Sequence, residues 1–287
     1  MSPPVTALHS TLVADRFEVT GPLGSGAQGH VLAAWDRAAC SAVAIKVHAP
    51  DDALLGVHEG RILAHLTRCR VAAAPRFVAA VTLPDGRQAV VMEHVAGRPL
   101  GAHAPRLSLG DGRAAFAALA SLHAAGVVHG DLKPDHVVHA TSPGGAAPAI
   151  RYLDFGCARQ VARVATEEAV LDGPSLLASL PYLAPERYLG QPASEAADLY
   201  ALGVTLWEAA TGAPPFPCDA PHTAADEHLY ARIPISVLQC STVPAALARL
   251  IIACLAKDPW RRPASARDAV ARLGAERPAR NAAARSG

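Results

Sequence analysis

The sequence has no surplus of either charge, no cysteine pair at metal or redox spacing, and no long apolar run. Lys and Arg number 26 against 25 Asp and Glu, a net charge of +1. Such neutrality supplies no basic footprint for a phosphate backbone, so nucleic acid is not an expected partner. The six cysteines, at 40, 69, 157, 218, 240 and 254, include no CxxC pair. That removes the usual zinc and redox patterns and suits a reducing interior. No apolar stretch approaches the roughly 18 residues that would mark a membrane span. The opening MSPPVTALHS has no positive region followed by an apolar one, as a secretory leader would. The expectation is a cytoplasmic chain with no membrane partner. Charged residues make up only 18% and apolar ones 51%, the opposite of a disordered composition. Much of the apolar share is alanine, so bulky side chains must be used sparingly. The 287 residues suit one large domain or two packed lobes.

Local texture divides the chain. From Arg16 onward, RFEVT, HVLAAWD and SAVAIKV read as short strands separated by turns. A helix is expected over Ala53 to Leu66, where Leu55, Ile62, Leu63 and Leu66 recur on one side. PRFVAAV and QAVVMEH follow as strands around a Pro84–Asp85–Gly86 turn. Residues 97–110, rich in Gly, Pro, Ala and His, read as a linker. Helical periodicity then starts near Asp111 and runs through Phe116, Leu119 and Leu122 to a stop at Gly126. Strand-like VVH and AIRYLDF enclose the turn region TSPGGAAP, and further helices are expected over 196–210, 244–256 and 265–273. The expected organisation is a flexible lead over 1–12, a sheet-rich lobe over 13–96, a helix-rich lobe over 97–273 and a flexible tail over 274–287.

Several segments carry chemistry. LGSGAQGHV places Gly24, Gly26, Gly29 and Val31 between two expected strands. A dinucleotide site would put a helix after the last glycine. A hairpin here would instead offer backbone N–H groups to phosphates with no side chains in the way. VAIK ends in Lys46, a lysine among apolar strand residues. Its charge calls for a partner if buried, and Glu59 on the following helix is the available one; a surface lysine with a snorkelling stem is the alternative. Downstream come HGDLKPDH at 129–136, LDFG at 153–156 and APE at 184–186.

Together these segments resemble the eukaryotic-type protein kinases, in particular the serine/threonine branch and its bacterial members. The resemblance runs from about Phe17 to Leu273. It implies an α+β, bilobal fold with a small antiparallel-sheet N-lobe and a helical C-lobe. It implies transfer of the γ-phosphoryl group of ATP to serine or threonine hydroxyls of a protein substrate. By that resemblance Asp131 accepts the hydroxyl proton, Lys133 meets the transferred group, and Lys46 with Glu59 aligns the phosphates. Asp154 binds Mg²⁺, and His136 occupies the position of a second metal ligand. Leu23, Val31, Ala44 and Val138 enclose the adenine, Met92 is the gatekeeper, and the backbones of Glu93 and Val95 meet the base edge. Leu63, Phe155 and His129 are expected to stack between the lobes, Asp198 to brace the catalytic loop, and Glu186 to pair with Arg262. Ser179 stands at the usual hydroxyl position before LPYLAPE.

Three departures from the family pattern bear on activity. Gly130 replaces a common arginine that pairs with a phosphorylated activation-loop residue, which implies independence from such phosphorylation, with Thr166 and Ser175 as remaining modification sites. His136 replaces the metal-binding asparagine. Mg²⁺ prefers oxygen ligands, whereas imidazole suits Mn²⁺ or Zn²⁺ better, so Mn²⁺ is a candidate to be preferred. Some segments are short, notably between Lys46 and Glu59 and between Glu93 and Asp131, which points to a minimal kinase or to one completed by a regulatory protein partner. The rival functions are a pseudokinase that binds nucleotide as a scaffold and a small-molecule phosphotransferase, since HGD with an acidic DFG-like element also occurs there.

Overall fold

The computed structural model describes residues 12–26, 29–100, 107–141, 149–161, 180–216 and 221–275. The N-terminal lobe is an antiparallel sheet of six strands among these residues: β1 (Leu12–Val13), β2 (Phe17–Gly26), β3 (Gly29–Asp36), β4 (Ser41–His48), β5 (Phe77–Thr82) and β6 (Gln88–Glu93), in spatial order β1-β2-β3-β4-β6-β5. Strand side chains alternate between faces. In β4 this sends Val43, Ile45 and Val47 into a small core with Phe17, Val19, Leu32, Ala89 and Val91. The intervening Ala44, Lys46 and His48 face the other way, towards helix α1 (Ala53–Arg68). Helix α1 enters through a short 3-10 turn, Pro50–Asp52. It buries Ile62, Leu63 and Leu66 in the main core, together with Val90, Met92 and Phe116. One core is therefore local to the sheet, and the other runs from the sheet's inner face into the second lobe.

That lobe is helical. Helix α2 (Leu109–Ala124) begins with a capping box: the Ser108 hydroxyl accepts from Asp111 N, and the Asp111 carboxylate accepts from Ser108 N at 2.9 Å. Such reciprocal caps satisfy two otherwise orphaned donors. Helix α3 (Pro185–Tyr188) leads to α4 (Glu195–Thr211), capped by Ser194 and ended by Gly212 at φ +85°. From Ala197 to Trp207 every residue of α4 is buried, which makes it the lobe's central rod. Helices α5 (Pro221–Tyr230), α6 (Ile235–Gln239), α7 (Ala245–Cys254) and α8 (Ala266–Ala275) complete the lobe. The bilobal α+β fold is the expected one.

Several boundaries differ from expectation. Residues 97–110 are not all linker: Gly97–Pro99 forms strand β7, antiparallel to β9 (Val137–Ala140), which pairs on its other side with β10 (Ala149–Tyr152), while the two-residue β8 (Val127–Val128) pairs with Arg159–Gln160. Glycine and proline in the segment mask this edge strand, since neither signals strand locally. The strand expected through AIRYLDF stops at Tyr152. Leu12, expected in the lead, pairs with Glu18, and α8 continues to Ala275. The lead over 1–11, the turn region 142–148 and the tail beyond 275 lie outside the described residues. Among the described residues, no helix is long and apolar enough to cross a membrane.

The helical lobe carries an internal ion pair. Arg262 Nη1 and Nη2 donate to Glu186 Oε1 and Oε2, each at 2.7 Å. The guanidinium also donates to the carbonyls of Ala256 and Ala196 and lies 4.9 Å from the Tyr200 ring centroid. Both side chains are buried. Removing one member of such a pair leaves an uncompensated buried charge. Glu186→Ala is therefore expected to cost about 3–5 kcal/mol in urea unfolding of the C-lobe, whereas truncating the exposed Arg37–Glu18 pair should cost under about 1 kcal/mol.

Candidate active site

A cleft of about 800 Å³ opens between the lobes. Its floor is organised around one ammonium group. Lys46 Nζ lies 2.9 Å from Glu59 Oε2 and 2.7 Å from Asp154 Oδ1. Burial alone would pull the lysine pKa down, but the two carboxylates outweigh it and raise it. Asp154 responds in kind: burial opposes its charge, yet Lys46 holds the carboxyl well below the usual range. Its backbone sits at φ +62°, a left-handed conformation that Asp tolerates better than most residues. The Glu59 carboxylate also accepts the N–H of Phe155 at 3.1 Å. Strand β4, helix α1 and the DFG segment thus meet at one charged cluster.

The loop before β9 is held from beneath. Buried Asp198, in the first turn of α4, accepts from His129 N at 2.8 Å, Gly130 N at 2.9 Å and His123 Nε2 at 3.0 Å. His129 donates Nε2–H to Leu153 O at 3.0 Å and accepts Asp131 N–H at Nδ1. Burial pushes this imidazole's pKa down despite the Asp198 charge, so the ring is neutral near pH 7. Its ring centroid lies 4.9 Å from that of Phe155, the planes tilted by 50°, and Phe155 is itself fully buried in the same core as Leu63. Asp131 is thereby presented to the cleft with Lys133 Nζ 3.3 Å from its Oδ2. His136 donates Nδ1–H to Asp131 O at 2.8 Å. In the neutral ring that bond leaves the Nε2 lone pair free, and Nε2 faces Asp154 Oδ2 at 3.7 Å.

In that form two lone-pair donors face each other, an arrangement that fits a cation between them. Among the described residues no three His, Cys, Asp or Glu side chains gather as a metal cage. An ion held here would need further ligands from phosphate oxygens and water, the usual habit of Mg²⁺. A backbone carbonyl that fixes the second ring nitrogen is the common outer partner of a ligating histidine.

Leu23, Gly24, Gly26, Gly29, Val31, Ala44, Lys46, Glu59, Met92, Glu93, Val95, Asp131, Lys133, His136 and Asp154 all border the cleft. Val138 stands just behind this lining: it is buried in β9, and a Cβ on cleft-bordering Gly97 would come within 2.5 Å of its Cγ1. Pro75, His94 and Leu153 border the cleft unanticipated. Glu93 has a second role, because its carboxylate pairs with Arg151 at 2.9 Å and accepts Arg76 N at 3.1 Å. This ties the connection between the lobes to β10. Two histidines of α1 also reach the second lobe, His58 to Ala158 O and His65 to Ala125 O, at 2.5 and 2.9 Å. Their i, i+7 spacing was visible on the helix, but their acceptors are backbone carbonyls that no sequence pattern announces.

Thr166, Ser175 and Ser179 lie outside the described residues. Gly130 has a local reason for being glycine: φ is +78°, and a Cβ would come within 2.6 Å of Cys157 O.

This geometry belongs to a known family. The protein kinase domain family matches residues 17–272, nearly the whole described span, and the chain is a member of it. It is 33% identical over 275 residues to the DNA damage-responsive serine/threonine-protein kinase RqkA of Deinococcus radiodurans, covering 89% of this chain and 38% of that one. It is 31% identical over 277 residues to the serine/threonine-protein kinase pkn3 of Myxococcus xanthus, covering 88% and 48%. It is 29% identical over 269 residues to the serine/threonine-protein kinase PrkC of Bacillus subtilis, covering 89% and 40%. The chain thus spans between a third and a half of the length of the curated relatives it matches.

Replacing Gly130 tests the packing of the loop that carries Asp131. Gly130→Ala combines a left-handed backbone penalty of about 1–2 kcal/mol with a backbone clash, and is expected to lower the thermal midpoint. Gly190, at φ +77° with nothing near its absent Cβ, is the control: Gly190→Ala should lose only the conformational term.

Proposed function

We propose that this chain transfers the γ-phosphoryl group of ATP to serine or threonine hydroxyls of protein substrates. The observation that carries the reading is the Lys46–Glu59–Asp154 charge cluster, with Asp131 presented to the same cleft. Phosphoryl transfer needs little covalent help from a protein; alignment and positive charge do most of the work. In this reading Lys46 holds the phosphates, and the glycine hairpin covers them with backbone N–H groups. Leu23, Val31, Ala44 and Met92 enclose the adenine, and the backbones of Glu93 and Val95 meet its edge. Asp131 takes the proton of the substrate hydroxyl as its oxygen bonds to the γ-phosphorus. The bond to the β–γ bridging oxygen breaks, and ADP leaves. Lys133, beside Asp131, offsets charge on the transferred group. Asp154 and His136 would hold a divalent ion, Mg²⁺ or Mn²⁺, which supplies charge neutralisation on the phosphates. The domain carrying this activity is read as residues 13–273, with Asp198 as its brace.

Two measurements test the assignment. Asp131→Asn keeps the size of the side chain but cannot accept the proton, so transfer to a generic protein substrate should fall by about 10²–10⁴-fold while ATP still binds. Retained transfer would remove Asp131 from this role, and ATP binding without transfer in the unaltered chain would favour a scaffold. The second variant concerns the metal. Nitrogen ligands favour Mn²⁺ over Mg²⁺ relative to oxygen ligands. His136→Asn is therefore expected to raise turnover with Mg²⁺ and lower the Mn²⁺-to-Mg²⁺ turnover ratio at saturating ATP. An unchanged ratio would mean that His136 does not ligate the ion.

A further inference from the structure

His48 lies two residues beyond Lys46 on the same face of β4 and is wholly buried. Its Nε2 sits 3.3 Å from Glu59 Oε2, the same oxygen that Lys46 approaches at 2.9 Å. Neither ring nitrogen completes a hydrogen bond, so the approach of Nε2 to Glu59 is a close polar contact. A fully buried imidazole with neither nitrogen hydrogen-bonded is a poor choice for stability alone, and an apolar side chain would fill the space without that penalty.

The neighbouring helix makes room for the ring. Gly56, in the first half of α1, is buried, and a Cβ there would come within 2.7 Å of His48 Cδ2. Glycine inside a helix is itself destabilising, so two locally unfavourable residues combine to seat an imidazole behind Glu59. The Glu59 carboxylate then has Lys46 Nζ at 2.9 Å and His48 Nε2 at 3.3 Å against one oxygen, and Phe155 N donating to the other. Burial pushes the Glu59 carboxyl up, but the Lys46 charge and His48 outweigh it and keep the group ionised.

We infer that His48 is a positioning residue for phosphoryl transfer: its Nε2, set 3.3 Å from the same Glu59 oxygen that Lys46 approaches, backs that carboxylate and so fixes where Lys46 presents its ammonium to the phosphates. The inference rests on the proposed transferase reading and adds a residue to its machinery. His48 touches neither nucleotide nor substrate. It acts through Glu59, and Gly56 acts through His48 by leaving its ring undisplaced.

The test uses the full chain in four forms: unaltered, His48→Leu, His48→Gln and Gly56→Ala. Leucine fills the site without a donor, and glutamine returns an N–H at nearly the reach of Nε2. Turnover, thermal midpoint, and calorimetric affinity for Mg²⁺–ATP and for adenosine are measured for each. His48→Leu is expected to lower turnover by about tenfold or more, since small misplacements of an aligning group are expensive. It should weaken ATP but not adenosine, which has no phosphates to meet Lys46, and its thermal midpoint should hold or rise. Glutamine should restore most of the loss, and Gly56→Ala should lower turnover in the same direction as leucine. If His48→Leu leaves turnover and the ATP-to-adenosine affinity ratio unchanged, the inference is wrong. A loss that follows the thermal midpoint and is not rescued by glutamine also overturns it, leaving His48 a packing residue. A chain that binds ATP but transfers nothing overturns the transferase reading instead, and the affinity ratio still decides the role of His48.

Discussion

The ammonium of Lys46 must be buried to serve the cleft and cannot be buried without opposite charge. Desolvating a cation is costly enough that proteins pair such groups or let them lose their charge. Here the pairing carboxylates come from distant parts of the chain, Glu59 from α1 and Asp154 from the segment after β10. The cluster therefore completes only when the helix is docked against the sheet and the DFG segment lies beneath both. Phe155 N on Glu59, His129 beside Phe155, and Asp198 under His129 extend the same requirement into the core of the second lobe. One charge thereby couples the sheet, the helix and the central rod of the helical lobe.

Because the coupling is electrostatic in a dry setting, its supports are mostly fixed dipoles and buried donors. Asp198 collects two backbone N–H groups and a histidine N–H, and in return sets the loop that carries Asp131 and His136. Glu93 pairs with Arg151 and pins the inter-lobe connection to β10. His58 and His65 reach from α1 to carbonyls of the other lobe. Such a scheme suits a loop with glycine at position 130, where a phosphate-binding arginine would have to begin from a backbone already against Cys157 O.

Much of the molecule was legible before its structure. Period-two alternation in SAVAIKV and the helical recurrence of Leu55, Ile62, Leu63 and Leu66 placed Lys46 and Glu59 on adjoining elements, because those periods are properties of the local backbone. The ordered motifs gave the cleft-lining residues and the Glu186–Arg262 pair. Edge strand β7 was not legible, since Gly and Pro there read as breakers and only pairing with β9 makes them strand. Helix α6 was missed because it is only five residues long, and α5 because PHTAADEHLY carries too few bulky apolar residues to mark a face. Val138 was placed at the adenine by its motif position, and the fold buries it in β9 beside cleft-bordering Gly97.

The chain's own order of residues determined which groups could reach the cleft: the glycine hairpin, Lys46, Glu59, Asp131, His136 and Asp154 each follow from local period and motif. Only the tertiary structure decided what holds them. His48 and Gly56 look like an ordinary strand end and a weak point in a helix until the fold sets a ring against a missing Cβ. The tautomer of His136, and with it the direction of its lone pair, depends on a carbonyl that the loop bends towards it. Both are matters of a few tenths of an ångström between elements far apart in sequence, and packing alone settles distances of that kind.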